Sequence, residues 1–217
     1  MRLDRRVILA LDVTKPDRAR AIARAVASEV DAIKVGWALF LAGGRDIVRE
    51  VADLGYLLAD FRTAEIPNTT RLIVEQVAAL GASGIITQGF VGEDSIRAAV
   101  EAAGQAEVFV VTEMSHPGGA QFTALHAEDM ARAAIRAGAA GIVAPATRPD
   151  RVKALRAIVG SKLILSPGVG AQGGKASDAI RAGADAVIVG RSIYEAPDPA
   201  GAARQVAAEI RAATPGC

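Results

Sequence analysis

The strongest constraint on this chain is a rhythm. Eight short aliphatic runs recur along its length, at 7–12, 32–36, 56–61, 84–88, 107–112, 141–144, 162–166 and 186–189. Each is nearly continuous in hydrophobicity instead of alternating, as parallel strands covered on both faces are. Between them lie stretches of helical period, for example Ala19, Ile22, Ala23, Val26 and Val30, or Leu72, Ile73, Val77 and Leu80. Three helix ends share one handoff, Leu80-Gly81-Ala82, Ala137-Gly138-Ala139 and Ala182-Gly183-Ala184, each followed by an aliphatic strand. Glycine suits the left-handed residue just past a helix end, and the near-repeat shows one strand-helix unit being reused. Eight such units in 217 residues predict an α/β fold, a (β/α)8 TIM barrel occupying 1–217 as a single domain. The rival is an open doubly wound sheet, whose dinucleotide form needs Gly-x-Gly-x-x-Gly after its first strand. Here that strand runs into Leu11-Asp12-Val13-Thr14-Lys15-Pro16, with no glycine. Gly43-Gly44 and Gly118-Gly119 read as loops inside the one domain.

Charge and cysteine content narrow the function classes. Twenty-five basic and 24 acidic residues leave a net charge of +1, so no global field draws the chain to nucleic acid or an anionic membrane. Trp37 and the few other aromatics are not interleaved with a basic stripe, which also argues against a nucleic-acid surface. The one cysteine, Cys217, supports neither a disulfide framework nor a Cys-rich zinc site and fits a reducing cytoplasm. No apolar run approaches a membrane span, and Met1-Arg-Leu-Asp-Arg-Arg has no apolar signal region. The expectation is a soluble cytoplasmic protein.

In such a barrel the polar residues at the C-terminal ends of strands converge on one mouth, where chemistry is done. The candidates are Asp12 after strand 1, Lys34 on strand 2, Asp60, Arg62 and Glu65 at and beyond strand 3, and 113–118 after strand 5. Strand 7 leads into Ser166-Pro167-Gly168-Val169-Gly170-Ala171-Gln172-Gly173-Gly174, and strand 8 into Gly190-Arg191-Ser192. Small residues there let backbone N–H groups approach a phosphate, a short helix near Ser192 would aim its positive end at it, and Arg191 would add a fork of donors. The rival is a tight turn with a solvated rim arginine. Lys34 stands out because the chain has five lysines against twenty arginines and this one lies in an apolar strand. It needs a carboxylate partner, for which Asp12 and Asp60 are placed, either as chemistry or as a structural ion pair. His116 reads as a turn residue and His126 as an exposed helix residue; no histidine pair or carboxylate cage specifies a metal.

Several of these segments together resemble the orotidine 5′-phosphate decarboxylase family in its short archaeal-type form, over essentially the whole chain. They are Leu9-Ala10-Leu11-Asp12, Ile33-Lys34-Val35-Gly36, Ala59-Asp60-Phe61, Ile66-Pro67-Asn68-Thr69, Ser115-His116-Pro117-Gly118, Thr147-Arg148-Pro149, 166–174 and Val189-Gly190-Arg191-Ser192-Ile193-Tyr194. The resemblance implies a reaction without cofactor or metal, in which orotidine 5′-monophosphate (OMP) loses CO2 from C6 and the carbanion is protonated to UMP. It implies that Asp12 and Lys34 hold the ribose and that Asp60 lies against the departing carboxylate. Ser115 and Gln172 read the pyrimidine, while Gln172, Gly190 and Arg191 grip the phosphate. It also implies a homodimer with shared sites, in which Thr69 reaches the neighbouring subunit's ribose-phosphate.

One stretch departs from that pattern. Where the family carries Asp-x-Lys-x-x-Asp, this chain has Asp60-Phe61-Arg62-Thr63-Ala64-Glu65, and Gln88 stands where histidine is frequent. The charge signs of the catalytic set, Lys34, Asp60, Arg62 and Glu65, are kept, but a guanidinium gives up a proton far less readily than an ammonium. A working decarboxylase, a non-catalytic binder of pyrimidine nucleotides, and a relative acting on a modified orotidine-type substrate are the readings open at this stage.

Overall fold

The alternation closes into a ring. In a computed structural model of the chain, which describes residues 1–213, eight parallel strands pair in sequence order, with β8 returning to β1. The strands are β1 Val7–Ala10, β2 Ala32–Gly36, β3 Leu57–Thr63, β4 Gly84–Gln88, β5 Glu107–Val111, β6 Gly141–Val143, β7 Leu163–Pro167 and β8 Ala186–Val189. The helices between and after them are α1 Pro16–Val26, α2 Trp37–Ala52, α3 Pro67–Ala78, α4 Glu93–Ala102, α5 Thr123–Arg136, α6 Pro149–Val159, α7 Ala176–Arg181, α8 Arg191–Tyr194 and α9 Pro199–Ala213. This is the (β/α)8 barrel. Cys217 lies outside the described residues, and no helix within them is long and apolar enough to cross a membrane.

Two apolar layers explain the continuous hydrophobicity of the strands. Ile8, Ala10, Leu58, Ile86, Phe109, Leu165 and Ile188 fill the barrel axis, while Val7, Leu9, Ala59, Ile85 and Val110 pack outward against the helices. With both faces buried, alternation has no reason to appear in the sequence. Pro16, Pro67 and Pro149 open α1, α3 and α6, where a missing N–H costs nothing. The three handoff glycines, Gly81, Gly138 and Gly183, all have positive φ, as their place past a helix end requires.

The structure moves some boundaries. Gly43-Gly44 marks a break without a loop: α2 consists of two helical segments joined at a kink, where Gly44 leaves helical conformation at φ 67° and ψ −157°. β1 stops at Ala10, so Asp12 stands on the following loop. β3 runs to Thr63, past the expected end at Phe61, because it carries an irregularity that its composition does not announce. Ala59 pairs with Ile85 but Thr63 pairs with Thr87, so four steps along β3 match two along β4. The surplus forces Arg62 to φ 45°, a region non-glycine residues seldom occupy and one that concentrates at functional sites. Two side chains stitch the bulge: Trp37 Nε1 donates to the Phe61 carbonyl at 2.8 Å, and Thr87 Oγ1 donates to the Thr63 carbonyl at 2.8 Å.

Candidate active site

Strand parity decides which side chains enter the mouth. On β2, Ile33 and Val35 pack under the helices, so Lys34 between them faces the axis. On β3, Leu58 faces the axis, and Asp60 follows it two residues on. Both charges are deeply buried, with side-chain exposures of 7% for Lys34 and 4% for Asp60. Lys34 Nζ lies 3.0 Å from Asp60 Oδ2 and 3.2 Å from Asp12 Oδ1. Arg62 takes the other flank of Asp60, with Nε 3.0 Å from Oδ1 and Nη2 3.4 Å from Oδ2, while Nη1 sits 3.0 Å from Met114 Sδ. The wall therefore runs negative, positive, negative, positive through Asp12, Lys34, Asp60 and Arg62.

This arrangement holds its own charge states. Burial pushes the Asp60 carboxyl up, but the adjacent Lys34 ammonium and Arg62 guanidinium outweigh burial and hold it below the usual aspartate value. Burial pulls Lys34 down, but Asp60 and then Asp12 outweigh it and hold the ammonium above the usual lysine value. Both groups are charged at neutral pH.

A cavity of about 140 Å³ opens beside this wall, lined by Asp12, Lys34, Arg62, Ser115, Gln172, Gly190, Arg191 and Tyr194 together with Ala10, Pro167, Gly168, Val169, Ala171 and Ile188. Through Arg62, Ser115, Gln172 and Arg191 it continues into an outer lobe of about 460 Å³ that Met114, His116 and Pro117 complete. Ser115 Oγ donates to Gln172 Oε1 at 2.8 Å, which ties the segment after β5 to the one after β7. Gly168 (φ 103°) and Gly170 (φ 72°) let the second of these segments turn tightly. A side chain on Gly168 would meet Thr147 at 2.9 Å and Ser115 at 3.1 Å, so glycine is needed for the close approach as well as for the turn.

The structure thus brings Asp12, Lys34, Arg62, Ser115, Gln172, Gly190 and Arg191 to one cavity, with Asp60 set between its two flanking cations. Glu65 and Thr69 are elsewhere: neither lines that cavity, and Glu65 is exposed on the β3–α3 connection. The Glu65 carbonyl is held by the buried hydroxyls of Thr70 at 3.0 Å and Ser95 at 2.5 Å. His116 is exposed at the rim and precedes a single 3-10 turn, Pro117–Ala120; His126 is exposed on α5. Gln88 ends β4 with its Oε1 buried and unpartnered among the described residues.

Sequence reasoning missed four contributors. Tyr194 and Met114 line the two lobes, and burial raises the Tyr194 phenol above its usual value, helped by Asp12. Trp37 holds the bulge that presents Arg62. The fourth is a bracket beneath Ser115. Glu113 is fully buried and receives Arg148 Nε at 2.7 Å and Arg151 Nε at 2.9 Å. Arg148 also donates to the Met114 carbonyl, and Thr147 Oγ1 to the Ser115 carbonyl at 2.8 Å. A signal was available: Glu113 lies two residues before Ser115, and Thr147-Arg148 is among the segments that carry the resemblance.

Comparison with known proteins agrees with this geometry. Residues 5–206 match the model of the "Orotidine 5'-phosphate decarboxylase / HUMPS family". An orotidine 5'-phosphate decarboxylase from Methanosarcina mazei is 59% identical over 209 residues, covering 95% of each chain, and one from Pyrococcus abyssi is 47% identical, covering 94% of this chain and 99% of that one. Among solved structures, orotidine 5'-monophosphate decarboxylase from Methanocaldococcus jannaschii, complexed with inhibitor BMP, superimposes with a TM-score of 0.89 at 41% identity, covering 94% of this chain and 97% of that one. The enzyme from Pyrococcus horikoshii superimposes with a TM-score of 0.87 at 43% identity, covering 94% and 99%. A model match across most of the chain, together with full-length relatives at this identity, places the chain in the orotidine 5′-phosphate decarboxylase / HUMPS family.

Proposed function

We propose that this protein is a carbon–carbon lyase that decarboxylates orotidine 5′-monophosphate to UMP, the step of pyrimidine synthesis that its relatives are named for. The observation that carries this is the buried Asp60 carboxylate, fixed on both flanks by cations that line a two-lobed mouth of about 140 Å³ and about 460 Å³. A substrate carboxylate pressed toward Asp60 is repelled in the ground state, and the repulsion vanishes as CO2 leaves. The negative charge left on C6 is then stabilised by Lys34 and Arg62, which need no reorganisation. Gly190, Arg191 and the segment carrying Gln172 take the phosphate, whose binding energy opposes that repulsion. Ser115 and Gln172 read the pyrimidine, and Asp12 takes the ribose hydroxyls, which leaves the third N–H of Lys34 to the reacting carbon.

Glu65 and Thr69 belong, in this reading, to a neighbouring copy's site. The support is one-sided exposure: Trp37, Leu41, Ile66, Leu72, Phe90 and Phe122 are exposed large apolar residues, and all fall in the second to fifth strand-helix units. A patch confined to one side of a barrel fits a homodimer interface, and it contains the connection that carries Glu65 and Thr69. A nucleotide substrate and a single cysteine fit the cytoplasm.

The test is steady-state loss of the ultraviolet absorbance of orotidine 5′-monophosphate, with UMP identified as product. Tight UMP binding without turnover would overturn the proposal in favour of a non-catalytic nucleotide binder.

A further inference from the structure

Decarboxylation leaves an electron pair on C6 that must receive a proton, and the wall of the cavity offers few sources. We infer that Lys34 is the residue that protonates C6; the inference rests on the decarboxylation reading and assigns within it a step that the fold alone leaves open. The C6–carboxylate bond breaks, its electron pair stays on C6 and CO2 departs. A Lys34 N–H bond then breaks, its proton forms the C6–H bond of UMP, and the neutral amine regains a proton from water after product leaves.

Three observations support Lys34 over its neighbours. An ammonium has three N–H donors; Asp12 at 3.2 Å and Asp60 at 3.0 Å engage two of them, leaving a third on a group that lines the cavity. Arg62 lines the same cavity, but its donors are committed. Its Nε and Nη2 fork onto Asp60, its Nη1 lies against Met114 Sδ, and a guanidinium is a poor proton source in any protein. The remaining donors are engaged or set outward: the Ser115 hydroxyl donates to Gln172, Arg191 is exposed, and His116 is exposed on the outer lobe. Asp60 touches Lys34 and Arg62 alike, so the carboxylate that repels the substrate also holds the proton donor where the repelled group leaves.

Gly36 shows how closely this ammonium is housed. A Cβ built there would lie 3.7 Å from Lys34 Nζ, 3.5 Å from Asp12 Oδ1 and 3.3 Å from the Asp60 carbonyl. The lysine is packed as well as paired.

The experiment isolates the proton transfer from the loss of CO2. In D2O, the reverse of protonation is exchange of the C6 hydrogen of a product nucleotide, followed by NMR on 5-fluoro-UMP, whose fluorine acidifies that position. In a Cys217→Ser background, Lys34→Cys should lower exchange by about 100-fold or more, the usual reach of a general acid or base. Alkylation with bromoethylamine, which rebuilds an ammonium of lysine length, should restore at least about a tenth of it, and iodoacetamide, which adds no charge, should not. Exchange by Lys34→Cys within a few-fold of wild type, equal rescue by both reagents, or exchange that collapses in His116→Gln while surviving in Lys34→Cys would each overturn the inference. Failure of the two readings is distinguishable. Exchange that depends on Lys34 without turnover of orotidine 5′-monophosphate would sink the proposed function alone, whereas turnover with exchange indifferent to Lys34 would sink this assignment alone.

Discussion

Asp60 is the residue on which most of the site depends. It is almost wholly buried and has two cationic partners, and removing one member of such a group leaves the others uncompensated. Asp60→Ala should therefore destabilise the protein by about 3–5 kcal/mol, read as a lower urea midpoint, while abolishing turnover. The pH dependence follows from the depressed carboxyl. A carboxylate whose folded value lies below its unfolded value of about 3.9 contributes stability above that value and loses it as pH falls through the folded one. Wild type should thus lose stability steeply below about pH 4, and Asp60→Asn should flatten that limb; urea titrations at stepped pH would show it. Lys34 works in the opposite direction, contributing below the ordinary lysine value and losing its contribution only as pH rises through its raised one. Arg62 invites a gain-of-function test. Arg62→Lys would keep the charge beside Asp60 and add a second labile proton, so kcat should rise at least about tenfold in the steady-state assay. An unchanged or lower kcat would show that the long guanidinium is itself needed.

At the scale of elements, the irregular strand β3 decides the geometry. Trp37 satisfies a carbonyl that the bulge frees and packs at a tilt against the Phe61 ring, 4.9 Å between centroids and 55° between planes, so the residue that opens α2 braces the turn that presents Arg62. Trp37→Phe keeps an aromatic ring, though a smaller one, and deletes the N–H. It should cost about 1–3 kcal/mol, the penalty of a buried carbonyl left unpaired, and lower kcat more than it raises KM. These contacts mark the limit of what the sequence discloses. Strand and helix order were legible because burial on two faces leaves continuous aliphatic runs and helical period between them, and β2, β4 and β8 fall where their runs do. The convergence of Lys34, Ser115, Gln172 and Arg191 followed from barrel topology. The bulge did not, because Phe61-Arg62-Thr63 has no glycine to mark a left-handed residue and the register of a parallel ladder depends on its partner strand. The Glu113 bracket was hidden for a related reason: its arginines come from 35 and 38 residues away.

At the scale of the whole molecule, polarity is divided between two ends and two sides. The N-terminal end of the barrel is plugged by Leu3, Tyr56 and Leu163, with Glu107 there paired to the Met1 ammonium and the Tyr56 hydroxyl, while the charges that line the cavity stand at the opposite end. Laterally, the exposed apolar residues gather on the second to fifth units, where Phe90 and Phe122 also border a groove of about 570 Å³ with Met130. If that side is a dimer face, a Phe90→Asp, Phe122→Asp double variant should sediment as a monomer and lose turnover while keeping its circular dichroism. A monomer with full activity would separate the interface from the site.

The two surplus residues in β3 also bear on how such a chain can change. Because the excess is an even number, in-and-out order is preserved on either side of it: Ala59 and Thr63 remain on the same side, and the barrel closes as though nothing had been inserted. A single-residue deletion between them would swap every later side chain of the strand to the wrong face, whereas excising Phe61 and Arg62 together would leave a flush ladder without its second cation. The closed barrel thus tolerates an exchange of the residue carried on this spur, but not its shortening by one residue.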